Sequence, residues 1–154
     1  MRRLPILLLC LAFVPVLGQD ALNESVQVEI AGNGVFISIN YERKFTRGFS
    51  ARAGVGPAPF ALFIPISFGK TFFHGNHHPE ISMGLTYGVY DAGRFAETVN
   101  RSQLFTSTFF GYRYDNPERR FIFRLGYTPF IRLTELAGEN RYYPYFGCGL
   151  GFKW

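Results

Sequence analysis

Cysteine is almost missing from this chain. Its 154 residues include only Cys10 and Cys148. Cys10 sits inside an N-terminal apolar run, so an exported form would keep Cys148 alone and could close no internal disulfide. A small exported domain without disulfides must draw stability from another source. Long apolar runs are also lacking. After residue 18 no stretch reaches 18 uninterrupted apolar residues, and the best candidate, Phe60 to Phe68, is broken by Pro65 and Ser67. A helical membrane span is therefore excluded there, and any insertion in lipid must be by strands. Charge is sparse, at 18% of residues, with a net +5 and no basic cluster. That excludes a nucleic-acid footprint. Gly84 and Gly88, and Gly147, Gly149 and Gly151, recur at even spacings within strand-like alternation with no helix after them, which excludes a phosphate loop.

The N-terminus reads as a targeting segment. Arg2 and Arg3 precede an apolar run from Leu4 to Leu17, and Val16 and Gly18 are small enough for a signal-peptidase site. Residues 1–18 are expected to be a signal peptide, cut between Gly18 and Gln19, with 19–154 as one barrel domain. An uncleaved anchor would need about 20 apolar residues, and Pro5 and Pro15 weaken a helix further. A lipoprotein reading fails because Cys10 follows Leu9 rather than a small residue. Loss of Arg2 and Arg3 leaves 14 basic against 11 acidic residues, a net +3.

What remains is rich in alternation. Ile81, Met83, Leu85, Tyr87 and Val89 interleave with Glu80, Ser82, Gly84, Thr86 and Gly88. Phe146, Cys148, Leu150, Phe152 and Trp154 interleave with Gly147, Gly149, Gly151 and Lys153. Side chains of a strand alternate between two faces. One face here is large and apolar, the other small or ionic, as in a strand between lipid and a crowded barrel interior. About eight such strands are legible, giving an all-β, eight-stranded antiparallel transmembrane β-barrel with a filled lumen.

The parity of the apolar row switches between Val26-Val28-Ile30 and Val35-Ile37-Ile39. A hairpin with a type I′ turn at Asn33-Gly34 explains this and keeps the strand number even. One long strand over residues 25–45 with a glycine bulge explains it too. With the mature N-terminus in the periplasm, turns at Thr46, His74–His78 and Asp115 fall on that side. The longer polar loops, Asp91 to Arg101 and Thr134 to Arg141, fall outside. Tyr41, Phe45, Phe72, Phe73, Tyr112, Tyr114 and Trp154 would form one aromatic girdle. Tyr87, Tyr90, Tyr127, Phe130, Tyr142, Tyr143 and Tyr145 would form the other.

Glu42, Arg52, Glu80, Arg113 and Arg124 share the inward face. Buried charges must be paired, so these residues are expected to form a salt-bridged plug; the competing reading is a proton or ion path. Glu42 and Glu80 as an acid/base pair is disfavoured by the three arginines beside them. His74, His77, His78 and Glu80 form the densest chemical cluster. Imidazoles at that spacing can share a metal, but on a glycine-containing turn their directions are not fixed, and no second shell is visible. We assign no catalytic, cofactor-binding or metal residue.

The segments Gly32-Asn33-Gly34, Asn40-Tyr41-Glu42-Arg43, Gly111-Tyr112-Arg113-Tyr114 and Arg124-Leu125-Gly126-Tyr127-Thr128-Pro129 resemble a group of small, uncharacterised outer-membrane barrels of Gram-negative bacteria. The terminal aromatic, Trp154, is similar to the C-terminal signal read by the barrel-insertion machinery. The resemblance implies fold and a bacterial outer-membrane location, with outer-membrane lipid and, during biogenesis, that machinery as partners. It carries over no site residue. The expected role is structural or surface-interaction through the two long loops. The alternatives are a soluble exported barrel carrying an apolar ligand, which needs its apolar row inside, and a lipid-modifying barrel enzyme, which needs nucleophile and base in reach.

Overall fold

Alternation at period 2 recurs in each strand from residue 24 onward among the described residues. The computed structural model describes residues 23–59, 61–73, 75–90, 101–116, 118–134 and 141–154. The expected signal segment, His74 and most of the two long loops lie outside the described residues. Eight strands follow in order: β1 (Glu24–Ile30), β2 (Ile37–Lys44), β3 (Phe49–Ala58), β4 (Ala61–Thr71), β5 (His77–Tyr90), β6 (Arg101–Asn116), β7 (Phe121–Arg132) and β8 (Tyr142–Lys153). Each pairs antiparallel with the next, and β8 returns to β1, with Val26 opposite Phe152 and Val28 opposite Leu150. The barrel is closed, so every strand has a paired neighbour on both sides.

The register puts the apolar rows outside. Met83 is 67% exposed and Phe146 77%, whereas Glu42 and Arg113, on the opposite face, are at 0%. An apolar carrier would require the reverse. Two prolines mark the sheet. The β3–β4 ladder is interrupted opposite Pro65, and the β6–β7 ladder opposite Pro129. A proline has no N–H to donate, and each break takes in two successive pairs, the proline's own and the next.

Residues 25–45 form two strands, as the hairpin reading required, with Ile30 opposite Ile37. The turn itself differs from expectation. Val35 N donates to Gly32 O at 2.9 Å, which puts Asn33-Gly34 at the centre of a β-turn. Neither has a positive φ, so it is not type I′; the left-handed residues are Ala31 (φ 53°) and Val35 (φ 72°). The reason is that this connection folds into the barrel mouth. Asn33 is buried, and its carbonyl accepts from Thr86 Oγ1 at 3.0 Å. Val35 is thereby turned away from the outer row in which the alternation placed it.

At the other end, Thr46-Arg47-Gly48 is the tight turn expected between β2 and β3, closed by Phe45 N donating to Phe49 O at 2.7 Å. Gly48 has φ +79°, and a Cβ there would lie 2.6 Å from Thr71 O. Only glycine suits both demands. Two further boundaries move. β5 begins at His77, so His77 and His78 are strand residues rather than turn residues. β6 takes in Arg101 at its start and Asp115-Asn116 at its end, residues expected in loops.

Candidate functional site

The lumen holds two stacked arrangements. Towards the start of β1 and the end of β8 it is ionic. Five residues were expected to meet there: Glu42 (β2), Arg52 (β3), Glu80 (β5), Arg113 (β6) and Arg124 (β7). All five do, and all are buried. Arg113 Nη1 donates to both carboxylate oxygens of Glu42 at 2.8 Å. Arg52 Nη2 donates to Glu42 at 3.2 Å and reaches Glu80 at 3.5 Å. Arg124 grips Glu80 with two nitrogens, at 2.6 and 3.0 Å. Gln27 and Ser25 also donate to Glu42. The arginine forks suit this because each can bond two carboxylates in one plane.

Four members were not anticipated. Glu29 accepts from Arg124 Nη1 at 3.1 Å. Asp115 lies 3.4 Å from Arg113 Nε and is paired with both Lys44 and Lys153. Together the cluster sets five cations against four carboxylates. Small residues make room for it. Gly111 and Gly126 face each other across β6 and β7, and Phe109 fills the space beside them; a Cβ at either would fall within 2.5 Å of its ring. The guanidinium of Arg124 lies 4.1 Å over the Phe109 ring, a cation–π contact. A lumen crossed by so many fixed pairs is a packed interior.

The opposite end, at the β1–β2 turn, is aromatic. Phe63, Phe105 and Phe130 are buried and packed against Tyr90, Tyr143 and Tyr145. Phe105–Phe130 and Phe63–Tyr90 are edge-to-face pairs at 6.3 and 5.7 Å. They line an open-mouthed cavity of about 320 Å³, with Val35, Gln103 and Arg132 completing its wall. This corrects the expected outer girdle: Phe130 is 1% exposed and inward, and Tyr90, Tyr143 and Tyr145 line the mouth instead. Tyr87 and Tyr142 do face outward. So do Phe45, Phe73, Tyr112 and Trp154 at the other end.

The two described histidines of the candidate cluster, His77 and His78, do not come together. His77 and His78 are neighbours in a strand and so point to opposite faces. His77 is exposed, with Nδ1 2.5 Å from the Tyr112 hydroxyl. His78 turns inward and its Nδ1 lies 3.2 and 3.1 Å from the carbonyls of Phe72 and Phe73. Among the described residues no three His, Cys, Asp or Glu side chains are placed to hold a metal. Cys148 lies in the outer row, exposed.

Fold and interior define the class: a closed, eight-stranded antiparallel barrel with a charge-paired lumen. A solved structure shares the fold. The chain is similar to the N-terminal β-barrel domain of OprF from Pseudomonas aeruginosa, with a TM-score of 0.66 and 13% sequence identity over 89% of this chain and 99% of that one. No protein-family model matches the sequence, and no curated protein is significantly similar to it.

Proposed function

We propose that this chain is a plugged barrel of the bacterial outer membrane, with a structural or surface-interaction role rather than a catalytic one. The observation that carries the reading is the division of the pleat. Outward rows of Val, Ile, Leu, Phe and Met stay exposed along every strand, while the ion pairs are sealed inside. In water such rows would form a contiguous apolar surface of a size that soluble monomers avoid. In hydrocarbon they are matched, and closure satisfies every strand. Outer-membrane lipid is then the first partner. Trp154, whose backbone N–H bonds Glu24 O at 3.1 Å beside the β1–β8 seam, is the residue the insertion machinery would read. Export would follow cleavage after Gly18. Long loops would face outward after β5 and β7, and the ionic end would face the periplasm.

The test is membrane fractionation followed by protease treatment of intact cells. The reading expects the protein in the outer-membrane fraction, with cutting confined to the connections after β5 and β7. Recovery from the soluble periplasm, or cutting at Arg47 or Arg119 in sealed cells, would contradict it.

A further inference from the structure

We infer that Lys70 and the rings around it bind the phosphate of an anionic phospholipid at the ionic end of the barrel. The inference rests on the membrane reading and deepens it. Three observations carry it. The first is position. Leu62, Ile64, Ile66 and Phe68 form the exposed outward row of β4, and the same row turns cationic at Lys70. From Leu62 to Lys70 is about 27 Å of strand at roughly 3.4 Å per residue. At a tilt of about 40° that is about 20 Å of height, against an outward apolar band of about 25 Å. A lysine can lay its stem on apolar surface and hold its charge in water. The ammonium therefore comes to the edge of the hydrocarbon, where headgroup phosphates lie.

The second observation is the setting of that ammonium. Lys70 stands opposite Phe49 on β3 and Ile81 on β5. Its Nζ lies 4.9 Å from the centre of the Phe49 ring and 5.4 Å from that of Phe72. Ring faces attract a cation without neutralising it. Among the described residues Lys70 makes no ion pair. Arg43, which ends the outward row of β2, differs in having Glu24 at 4.0 Å. The third observation is the charge of the rim. Closure gathers at this end cations that are scattered in the sequence. Arg47 in the β2–β3 turn and Arg119 and Arg120 in the β6–β7 connection are exposed. Outside the Arg43–Glu24 pair, they and Lys70 face Glu118 as the exposed carboxylate among the described residues. Such a rim prefers a lipid of net negative charge to a zwitterionic one, by about fivefold for each cation that comes near. A soluble anion would meet the same charge but would leave Phe49 and Phe68, exposed beside Lys70, uncovered. Acyl chains cover them. A phospholipid of the periplasmic leaflet matches both the charge and the rings.

The test is native mass spectrometry of the barrel released from non-ionic detergent micelles. The micelles are doped with phosphatidylglycerol or, in parallel, with phosphatidylcholine of the same acyl chains. The expected result is one phosphatidylglycerol held at least about fivefold more tightly than phosphatidylcholine. Lys70→Gln should bring the two lipids within twofold of each other, and Lys70→Arg should keep the preference. Arg141→Gln removes one charge at the aromatic end and should leave the preference unchanged. Heat-modifiable gel migration checks that each variant folds; should Lys70→Gln fail to fold, Lys70→Met takes its place. Equal affinity for the two lipids, a full preference in a folded uncharged Lys70 variant, or an equal loss in Arg141→Gln would each overturn the inference. Displacement of the lipid by excess inorganic phosphate at constant ionic strength would assign the site to a soluble anion and overturn it as well. Recovery of the chain from the soluble periplasm counts against the membrane reading. A membrane-inserted barrel indifferent to headgroup charge counts against the Lys70 site alone.

Discussion

Replacing Glu42 with glutamine keeps its shape and removes one negative charge from the centre of the lumen. Glu42 accepts two bonds from Arg113 at 2.8 Å and one from Arg52 at 3.2 Å, with Gln27 and Ser25 on the same carboxylate. The amide of Glu42→Gln must turn an NH₂ towards guanidinium donors, or leave them facing one oxygen. Arg113 retains Asp115 at 3.4 Å and Glu80 at 3.7 Å, so it is not stripped of partners. The cluster nonetheless falls to five cations against three carboxylates. Breaking a buried pair from one side costs about 3–5 kcal/mol, because the remaining charge stays buried. Against a total stability of about 5–15 kcal/mol for a domain this is a fifth or more. The assay is urea unfolding from lipid vesicles, followed by far-UV circular dichroism. Arg113→Gln alone should cost about as much. The double variant should fall short of the sum by about 2 kcal/mol, since contacting residues are not additive. If Glu42→Gln unfolds within about 1 kcal/mol of the native chain, the charges are compensated by water rather than by each other. The packed-plug account would then be wrong.

Other outcomes follow from the same geometry. Gly126→Ala would push a methyl to 2.5 Å from the Phe109 ring and 2.7 Å from Phe110 O, and Arg124 already lies over that ring. It should lower stability by about 1–3 kcal/mol in the same unfolding assay; an unchanged midpoint would mean the ring is free to move. Met83→Arg places a charge midway along the outer row of β5. It should cost about 2–4 kcal/mol in lipid vesicles if that row faces hydrocarbon, and close to nothing if it faces water. In planar bilayers the native barrel should show no steady conductance steps. Regular openings at neutral pH would contradict a sealed lumen and revive the ion-path reading.

The strands and the five central charges were legible because period-2 alternation transmits position faithfully: once Glu80 and Arg113 are assigned inward, every second residue follows. Where that rule was set aside, residues were missed. Asp115 shares parity with Arg113, but Asp115-Asn116-Pro117-Glu118 has the composition of a turn, and local turn chemistry outweighed the pattern. Lys153 stood in the glycine row of β8 and was overlooked because its neighbours carry no charge. Glu29 was hidden by the parity switch around Gly32 to Gly34. The aromatic mouth was missed for a different reason. Phe130 and Tyr143 sit at strand ends, where rings serve equally as an outer girdle or as an inner lining, and composition does not separate the two. Parity does: Phe130 is six residues from Arg124, hence on the same face. His77 and His78 were read from Gly75 and Pro79 as a turn, yet both pair with β6, opposite Tyr114 and Arg113. That partner lies in a distant part of the sequence, which local signals do not contain.

The most direct measurement uses Cys148, the one cysteine of the chain from residue 19 onward. It projects from β8 beside Phe146 and Leu150. A nitroxide attached there in the reconstituted barrel should collide freely with oxygen, which concentrates in hydrocarbon, and hardly at all with a water-soluble nickel chelate. The reverse pattern would place that side of the sheet in water, and the membrane account would fall with it.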